Sequence, residues 1–382
     1  MNRGNGDGGR GGVNLPALRG HNEALLLDLL RGAGPAGLGR AELAARTGLT
    51  PQAVSKITAR LGGEGLVEEA GRAASTGGKP RTLLRLVPQA RHALGVHVDR
   101  DELRAVRVDL AGSVVAESGG SLDLGAGPDA VVEAVVGTLA RLRDPAGPPL
   151  LGAGVAAPGP LDHRAGVMGR VTGFPQWEGF PLREVLAGRL GLPVVLDKDT
   201  NAGAAGAGVG VGAGAGAGAG ASAGVGAGGA VGREARTVVY LHVGTGLGAG
   251  LRLGGEVYRG ARSGAGEFGH QVLWLDGPPC RCGARGCAEV LCLAAVERGD
   301  LPGAARILGE GAANLVALLD VDRVLLGGRV VAAAPEVFVE GVRAVLVARA
   351  LAPEPPVVAL AGAGVAEGAA ELVLAPFFGR AG

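Results

Sequence analysis

The sequence predicts an α/β body over residues 89–382, preceded by a small module of three helices and a hairpin over residues 21–88. Three observations predict this. Apolar residues at helical spacing are grouped in three short runs that end near Leu61. After Pro88, strand-like runs alternate with helical ones, the pattern of a layered α/β fold. A hydrophobic fraction of 47% with only 3% aromatics implies cores made of Leu, Val and Ala, and 382 residues suffice for two or three domains.

Residues 1–20, rich in Gly and Asn, read as a disordered tail. From Glu23 the pattern is helical, with Leu26, Leu29 and Leu30 on one face before the break at Gly32–Pro35. A second helix fits Arg40–Thr47, with Leu43 and Ala44 inward, and Gly48 supplies a turn. Thr50 is an N-cap followed by Pro51 at the first helical position. That third helix runs to about Leu61, with Val54, Ile57 and Leu61 on one face. Strand-like Leu66–Glu69, a polar loop over Gly71–Pro80 and Thr82–Leu86 form a hairpin.

Helix, helix, turn, helix, hairpin is the order of a winged helix-turn-helix. Its expected partner is double-stranded operator DNA. Gln52, Ser55, Lys56 and Ala59 face outward toward a major groove. In the wing, Lys79 and Arg81 sit in the compact basic stretch Gly77–Arg81, suited to phosphate or minor-groove contact, although alone that stretch also fits a solvated loop. Residues 1–90 hold 12 Lys/Arg against 7 Asp/Glu, and the remainder 25 against 29, so the basic excess lies in this module.

In the body, Leu94–Val98, Leu103–Asp109 and Val114-Val115 read as successive strands turning at Ala111-Gly112. A helix over Ala130–Leu142 precedes a buried strand at Leu151–Val155, and a further strand at Val194–Leu196 runs into the polar cluster Asp197–Asn201. Ala202–Gly232 is nearly pure Ala, Gly and Val, and is predicted to be a flexible or weakly helical insertion. Val238–Val243 is a fully buried strand. Neither a secretory signal pattern nor an apolar span of about 20 residues is present. The expected location is therefore cytoplasmic, with no membrane partner.

The strand Val238–Val243 runs into Gly244-Thr245-Gly246-Leu247-Gly248-Ala249-Gly250, a loop whose bare backbone can approach phosphate closely. More specific is His270 followed by Cys280, Cys282 and Cys287, with Gly283 and Gly286 between the thiols. One imidazole and three thiolates make the closed tetrahedral shell of a structural zinc. In a cytosolic chain such a cluster favours metal over disulfides. The third cluster, Asp197-Lys198-Asp199-Thr200-Asn201, ends a strand, where a carboxylate can accept a hydroxyl proton or bind a polyol; taken alone it also fits a solvated turn.

These pieces converge. Gly154-Val155-Ala156-Ala157-Pro158-Gly159-Pro160-Leu161-Asp162, Pro175-Gln176-Trp177-Glu178-Gly179, Asp199-Thr200-Asn201, Glu267-Phe268-Gly269-His270 and the cysteine run ending in Glu289 resemble the ROK family of sugar kinases and repressors. Leu325-Leu326-Gly327-Gly328 is similar to that family's adenosine-side glycine pair. The resemblance runs from about Leu94 to the carboxyl end. It implies a two-lobed, actin-like (ribonuclease H-like) sugar-kinase fold, with lobes of about 89–198 and 199–382. It also implies that Asp199 stands at the catalytic-base position and that Asp199, Glu267, His270 and Glu289 contact sugar, His270 being shared with zinc. Gly244, Thr245, Gly246 and Gly248 would be the remnant of a phosphate loop. Repressor branches of the family carry a winged helix in front.

The departures point the same way. Kinases of the family open with Asp-x-Gly-Gly-Thr, whereas the matching stretch here is His97-Val98-Asp99-Arg100-Asp101. Two side chains replace bare backbone, and Asp99 and Asp101 put negative charge where phosphates would sit. Lys198 replaces an Asn before the base, and Gly173 another before the Pro-x-Trp motif. Lys198 either marks a ligand with a negative group or pairs with Asp199. The expected function is a sugar-responsive transcriptional repressor of carbohydrate genes, homodimeric or homotetrameric, that has lost kinase activity. The alternatives are an ATP-dependent sugar kinase with an appended DNA-binding domain, or a sensor decayed into a dimerisation module.

Overall fold

A computed structural model of the chain describes residues 15–72, 81–207, 237–351 and 353–380. It divides into two compact units, residues 1–87 with Pro376–Gly379, and Pro88–Ala375 with the last three residues. No described helix is long and apolar enough to cross a membrane.

The first unit contains α1 (Leu15–Ala33), β1 (Leu38–Gly39), α2 (Arg40–Thr47), α3 (Pro51–Gly63), β2 (Val67–Arg72) and β3 (Thr82–Leu86). Its core is Leu26, Leu30, Leu43, Val54, Leu61, Leu84 and Leu86, all buried. Helix α3 starts as its sequence demands: the Ala53 N–H donates to Thr50 Oγ1 at 3.2 Å, and Pro51 follows the cap. Helix α1 begins at Leu15, so the expected tail of residues 1–20 is at least six residues too long. Pro16 lies in the first turn, where a missing N–H costs no hydrogen bond. Ala44 and Ile57 are only half-buried, and Thr58 takes the inward position beside Val54. Strand β1 pairs antiparallel with β3, a short third strand that the polar Gly-rich context hid.

The second unit opens with β4 (His92–Val98), β5 (Glu102–Asp109), β6 (Val114–Ser121), α4 (Pro128–Leu142), β7 (Leu150–Ala157), β8 (Leu161–Asp162), β9 (Val167–Met168), α5 (Leu182–Leu190), β10 (Val194–Lys198) and α6 (Asp199–Gly206). It continues with β11 (Val238–Val243), β12 (Leu247–Leu253), β13 (Glu256–Val257), α7 (Ala288–Glu297), α8 (Leu301–Leu319), β14 (Arg323–Gly327), α9 (Arg329–Ala333), α10 (Pro335–Ala348), β15 (Val357–Leu360) and α11 (Val365–Leu374).

Two five-stranded sheets result, β10-β7-β4-β5-β6 and β13-β12-β11-β14-β15. Each repeats one plan. Three consecutive strands meander antiparallel, and the first of them pairs in parallel with a strand that itself pairs in parallel with a fifth. This duplicated plan is the two-lobed actin-like fold. One core gathers Leu94, Val96, Val135, Leu139, Val155, Trp177 and Leu186 on the first sheet. The other gathers Val239, Leu241, Leu308, Val324, Phe338 and Val342 on the second.

Helices α6 and α11 fill the space between the sheets, where Ala156, Ala202, Ala204, Tyr240, Ala369 and Leu372 form a third cluster. Small residues allow this. A Cβ on Gly95 would collide with the Ala366 carbonyl, and one on Gly154 with the Ala369 carbonyl. The expected division of lobes at 198/199 therefore follows the sheets but misplaces α11, which returns to cover the first one. Likewise, Ala202–Gly206 is not the start of a loose insertion. It is buried helix, small because α11 and β12 press on it; residues 208–232 lie outside the described residues. Strand β6 extends six residues beyond the expected Val115, as an exposed edge whose polar run Glu117–Ser121 carried no hydrophobic signal.

Candidate functional site

Strand β10 ends in a buried carboxylate, Asp197, that is fully engaged. Arg259 Nε donates to its Oδ2 at 2.7 Å and Asn201 Nδ2 to its Oδ1 at 2.8 Å. Two residues on, Asp199 starts α6, and its Oδ1 accepts the Thr200 N–H at 2.6 Å. Asp199, Glu267, His270 and Glu289 line one cleft between the two sheets, together with Lys198, Thr172 and Gly159. Gly173, at φ +87°, contributes no side chain there.

Lys198 does not pair with Asp199. Its ammonium, 6% exposed, donates to Glu267 Oε1 at 3.1 Å and to the Ala265 carbonyl at 2.6 Å. The side chain threads past Gly159, where a Cβ would stand 2.7 Å from Lys198 Cδ. The lysine thus neutralises one cleft carboxylate instead of presenting charge to a ligand. Glu289, in the first turn of α7, accepts the Leu247 N–H on Oε2 at 2.9 Å.

Beside the cleft, His270, Cys280, Cys282 and Cys287 bring four ligand atoms within 4.8 Å of one another. His270 Nδ1 lies 3.8 Å from Cys280 Sγ, and Cys282 Sγ lies 3.6 Å from Cys287 Sγ. Ligands about 2.3 Å from a tetrahedral ion stand about 3.8 Å apart, so these two pairs have the spacing of ligands on one ion and the donor set fits a metal. Knuckle and cleft share two parts. His270 lines the cleft, and Cys287 is the N-cap of the helix that carries Glu289.

The Gly-rich segment is not one phosphate loop. Only Gly244–Gly246 form a turn; Gly248 and Gly250 lie in strand β12, where a Cβ on Gly250 would strike the Thr200 carbonyl. Their bareness serves the close approach of α6 to the sheet. A strand that packs against a helix backbone needs glycine as much as an anion site does, so the glycine pattern alone does not separate the two.

A family model described as the ROK family matches residues 94–296, more than half of the chain. The chain belongs to the ROK family. It is 28% identical over 273 residues to the xylose repressor of Bacillus spizizenii, a match covering 70% of this chain and 65% of that one. It is 30% identical over 222 residues to the glucokinase of Thermotoga maritima, covering 55% of this chain and 61% of that one. Matches to the xylose repressors span less than two thirds of their length. Among solved structures, a ROK family transcriptional regulator, homolog of the E. coli MLC protein, superposes with a TM-score of 0.70 at 19% identity. That match covers 94% of this chain and 97% of the other, and it establishes the shared fold.

The far side of the Asp99–Asp101 and Gly244–Gly246 turns differs in character. A cavity of about 400 Å³ is lined there by His97, Asp99, Arg104, Tyr240, His242 and Gly327–Arg329. Asp99, Arg104 and Arg329 there have partners within the fold. Thr245 Oγ1 donates to Asp99 Oδ1 at 2.8 Å, Arg329 holds Asp101 through two bonds of 3.0 and 2.9 Å, and Arg104 holds Glu367 through two of 2.8 and 2.7 Å. Burial pushes the Asp99 carboxyl up. The Arg100 N–H, the Thr245 hydroxyl and the nearby imidazoles of His97 and His242 outweigh that and hold it below the usual carboxylate range. Arg259, Arg329 and the Lys198–Glu267 pair were not foreseen. Each joins groups far apart in sequence, and no local pattern announces such partners.

In the first unit, Gln52, Ser55, Lys56 and Ala59 are all exposed on α3, opposite buried Val54 and Leu61. Arg81 is exposed at the start of β3, and Lys79 lies outside the described residues.

Proposed function

We propose that this chain is a sugar-responsive, DNA-binding transcriptional regulator, with residues 21–88 reading operator DNA and residues 89–382 sensing a sugar without phosphorylating it. The carrying observation is the contrast within one cleft. Asp199, Glu267 and Glu289 each keep one carboxylate oxygen without a hydrogen-bond partner among the described residues, while Asp101 and Glu367 are held through both oxygens by Arg329 and Arg104. The xylose repressors among its relatives support the same reading.

The ligand is a neutral polyol. Four carboxylates, Asp99, Asp199, Glu267 and Glu289, line the cleft against two cations, Arg100 and Lys198, so a phosphorylated sugar meets net repulsion. His270, Cys280, Cys282 and Cys287 would hold a structural zinc, and the zinc would fix the imidazole through Nδ1 while its Nε2 serves the sugar. On DNA, Gln52 reads base edges, and Ser55, Lys56, Lys79 and Arg81 contact phosphates. The working form is cytoplasmic and a homodimer or homotetramer.

A kinase reading is favoured by Asp199 at the base position and by the likeness to glucokinases. The test separates the two. Operator affinity is titrated against D-xylose, D-glucose and glucose 6-phosphate, with Glu267→Ala as control, beside a coupled assay with ATP and magnesium. A neutral sugar shifts operator affinity about 5- to 150-fold in the parent only, and no turnover occurs. Turnover abolished by Asp199→Asn establishes the kinase instead.

A further inference from the structure

The β4–β5 turn (Asp99–Asp101) and the β11–β12 turn (Gly244–Gly246) come from equivalent hairpins of the two sheets and face each other across the cleft. They are tied directly by Thr245 Oγ1 donating to Asp99 Oδ1 at 2.8 Å. A second tie stands beside it, from Asp101 to Arg329 at the start of α9 in the second lobe. The turn so held is joined to the cleft floor. Next to it, the Leu247 N–H donates to Glu289 Oε2, and a Cβ on Gly246 would stand 3.1 Å from that same oxygen.

We infer that Asp99 with Thr245 and Asp101 with Arg329 are positioning residues for the sugar site: they clamp the two lobes and aim the Glu289 carboxylate, so sugar binding needs no nucleotide to bridge the lobes. The two ties have different physical weight. Asp99 is buried, and its bond to Thr245 is the less exposed of the two ties. Asp101 and Arg329 are half-exposed, with side chains 53% and 44% accessible, so their attraction is screened and falls with salt. The inner tie sets geometry, and the outer one adds a salt-sensitive share.

This inference rests on the sugar cleft proposed above, and its test keeps the two apart. The full chain is measured as wild type, Thr245→Val, Thr245→Ser, Arg329→Ala and the charge swap Asp101→Arg/Arg329→Asp. One readout is amide hydrogen exchange of residues 244–250 without ligand. The other is calorimetric affinity for D-xylose and D-glucose, with and without ATP and magnesium. Thr245→Val is expected to speed exchange of the turn and weaken sugar binding about tenfold. Thr245→Ser restores both. Arg329→Ala weakens binding about threefold at low salt, and less at high salt; the charge swap recovers part of the loss. ATP leaves sugar affinity unchanged. Exchange in Thr245→Val equal to wild type overturns the clamp, as does a gain in sugar affinity on adding ATP. If neither sugar binds the wild type, the sensor reading falls, and the exchange data still decide whether the turns are clamped.

Discussion

The two ends of the cleft use the same side chain to opposite purposes. Toward the knuckle, Glu267 stays half-exposed, and Asp199 and Glu289 each keep one oxygen without a hydrogen-bond partner among the described residues. Toward the cavity of about 400 Å³, Asp101 and Glu367 are each held through both oxygens by a guanidinium from elsewhere in the fold. A buried or half-buried carboxylate needs a partner. Where the fold engages both oxygens, the group is structural; where one oxygen is left over, the group can still accept from a ligand.

The largest test removes the metal shell and should damage one end more than the other. Cys287→Ser, at a fully buried ligand that also caps α7, is expected to strip the metal and to destabilise by about 4 kcal/mol or more, the class to which loss of a metal site belongs. Elemental analysis and urea unfolding check this. Cys292→Ala, at a thiol beside the Ala304 carbonyl, should keep about one zinc per chain. Retained metal in Cys287→Ser would break the assignment of the shell.

A smaller effect is expected at Lys198. Lys198→Met keeps the bulk but leaves Glu267 and the Ala265 carbonyl without their donor, at a cost of about 1–3 kcal/mol. If the lysine only neutralises Glu267, glucose 6-phosphate binds neither protein in calorimetry. Binding to wild type that Lys198→Met removes would show instead that the lysine serves an anionic ligand.

The smallest effect is titration at the junction of the two ends. Burial first, with His97 and Arg329 helping, holds the His242 pKa below its ordinary value; the charges of Asp199 and Asp99 oppose this and are outweighed. A histidine depressed in the fold contributes stability that is complete above its unfolded pKa of about 6.5 and is lost as pH falls through the folded one. His92 and His163 are shifted in the same direction, also chiefly by burial. The thermal midpoint should therefore fall on acidification below neutrality, each group adding at most about 1.4 kcal/mol per pH unit. His242→Gln should make that slope shallower. An unchanged slope would place the titration elsewhere.

Legibility in the sequence followed locality. The Thr50-Pro51 helix start, the apolar run Val238–Val243 and the close spacing of Cys280, Cys282 and Cys287 each concern a few neighbouring residues, and the structure has them as expected. The four residues assigned to sugar by resemblance do gather in one cleft. What stayed hidden was paired across distance or defined by contact. Lys198 meets a partner 69 positions on, Arg259 one 62 positions back, and the glycines of β12 are explained only by the helix laid on them. The outer part of edge strand β6, Ala116–Ser121, escaped notice because a strand with little buried face has no alternation to display.

The return of α11 also has a consequence for how the chain is made. Arg104 and Glu367 pair across 263 positions, and the glycine-lined face of the first sheet is covered mainly by α11. On the ribosome, every strand of that sheet emerges long before its cover does. Contacts of such range are slow to close, because the loop entropy is spent before they form. Until the last helix is translated, the first lobe carries a bare sheet face and behaves as a client for chaperones. Frameshifts that spare everything up to β15 should therefore yield an aggregating fragment and leave no stable truncated protein.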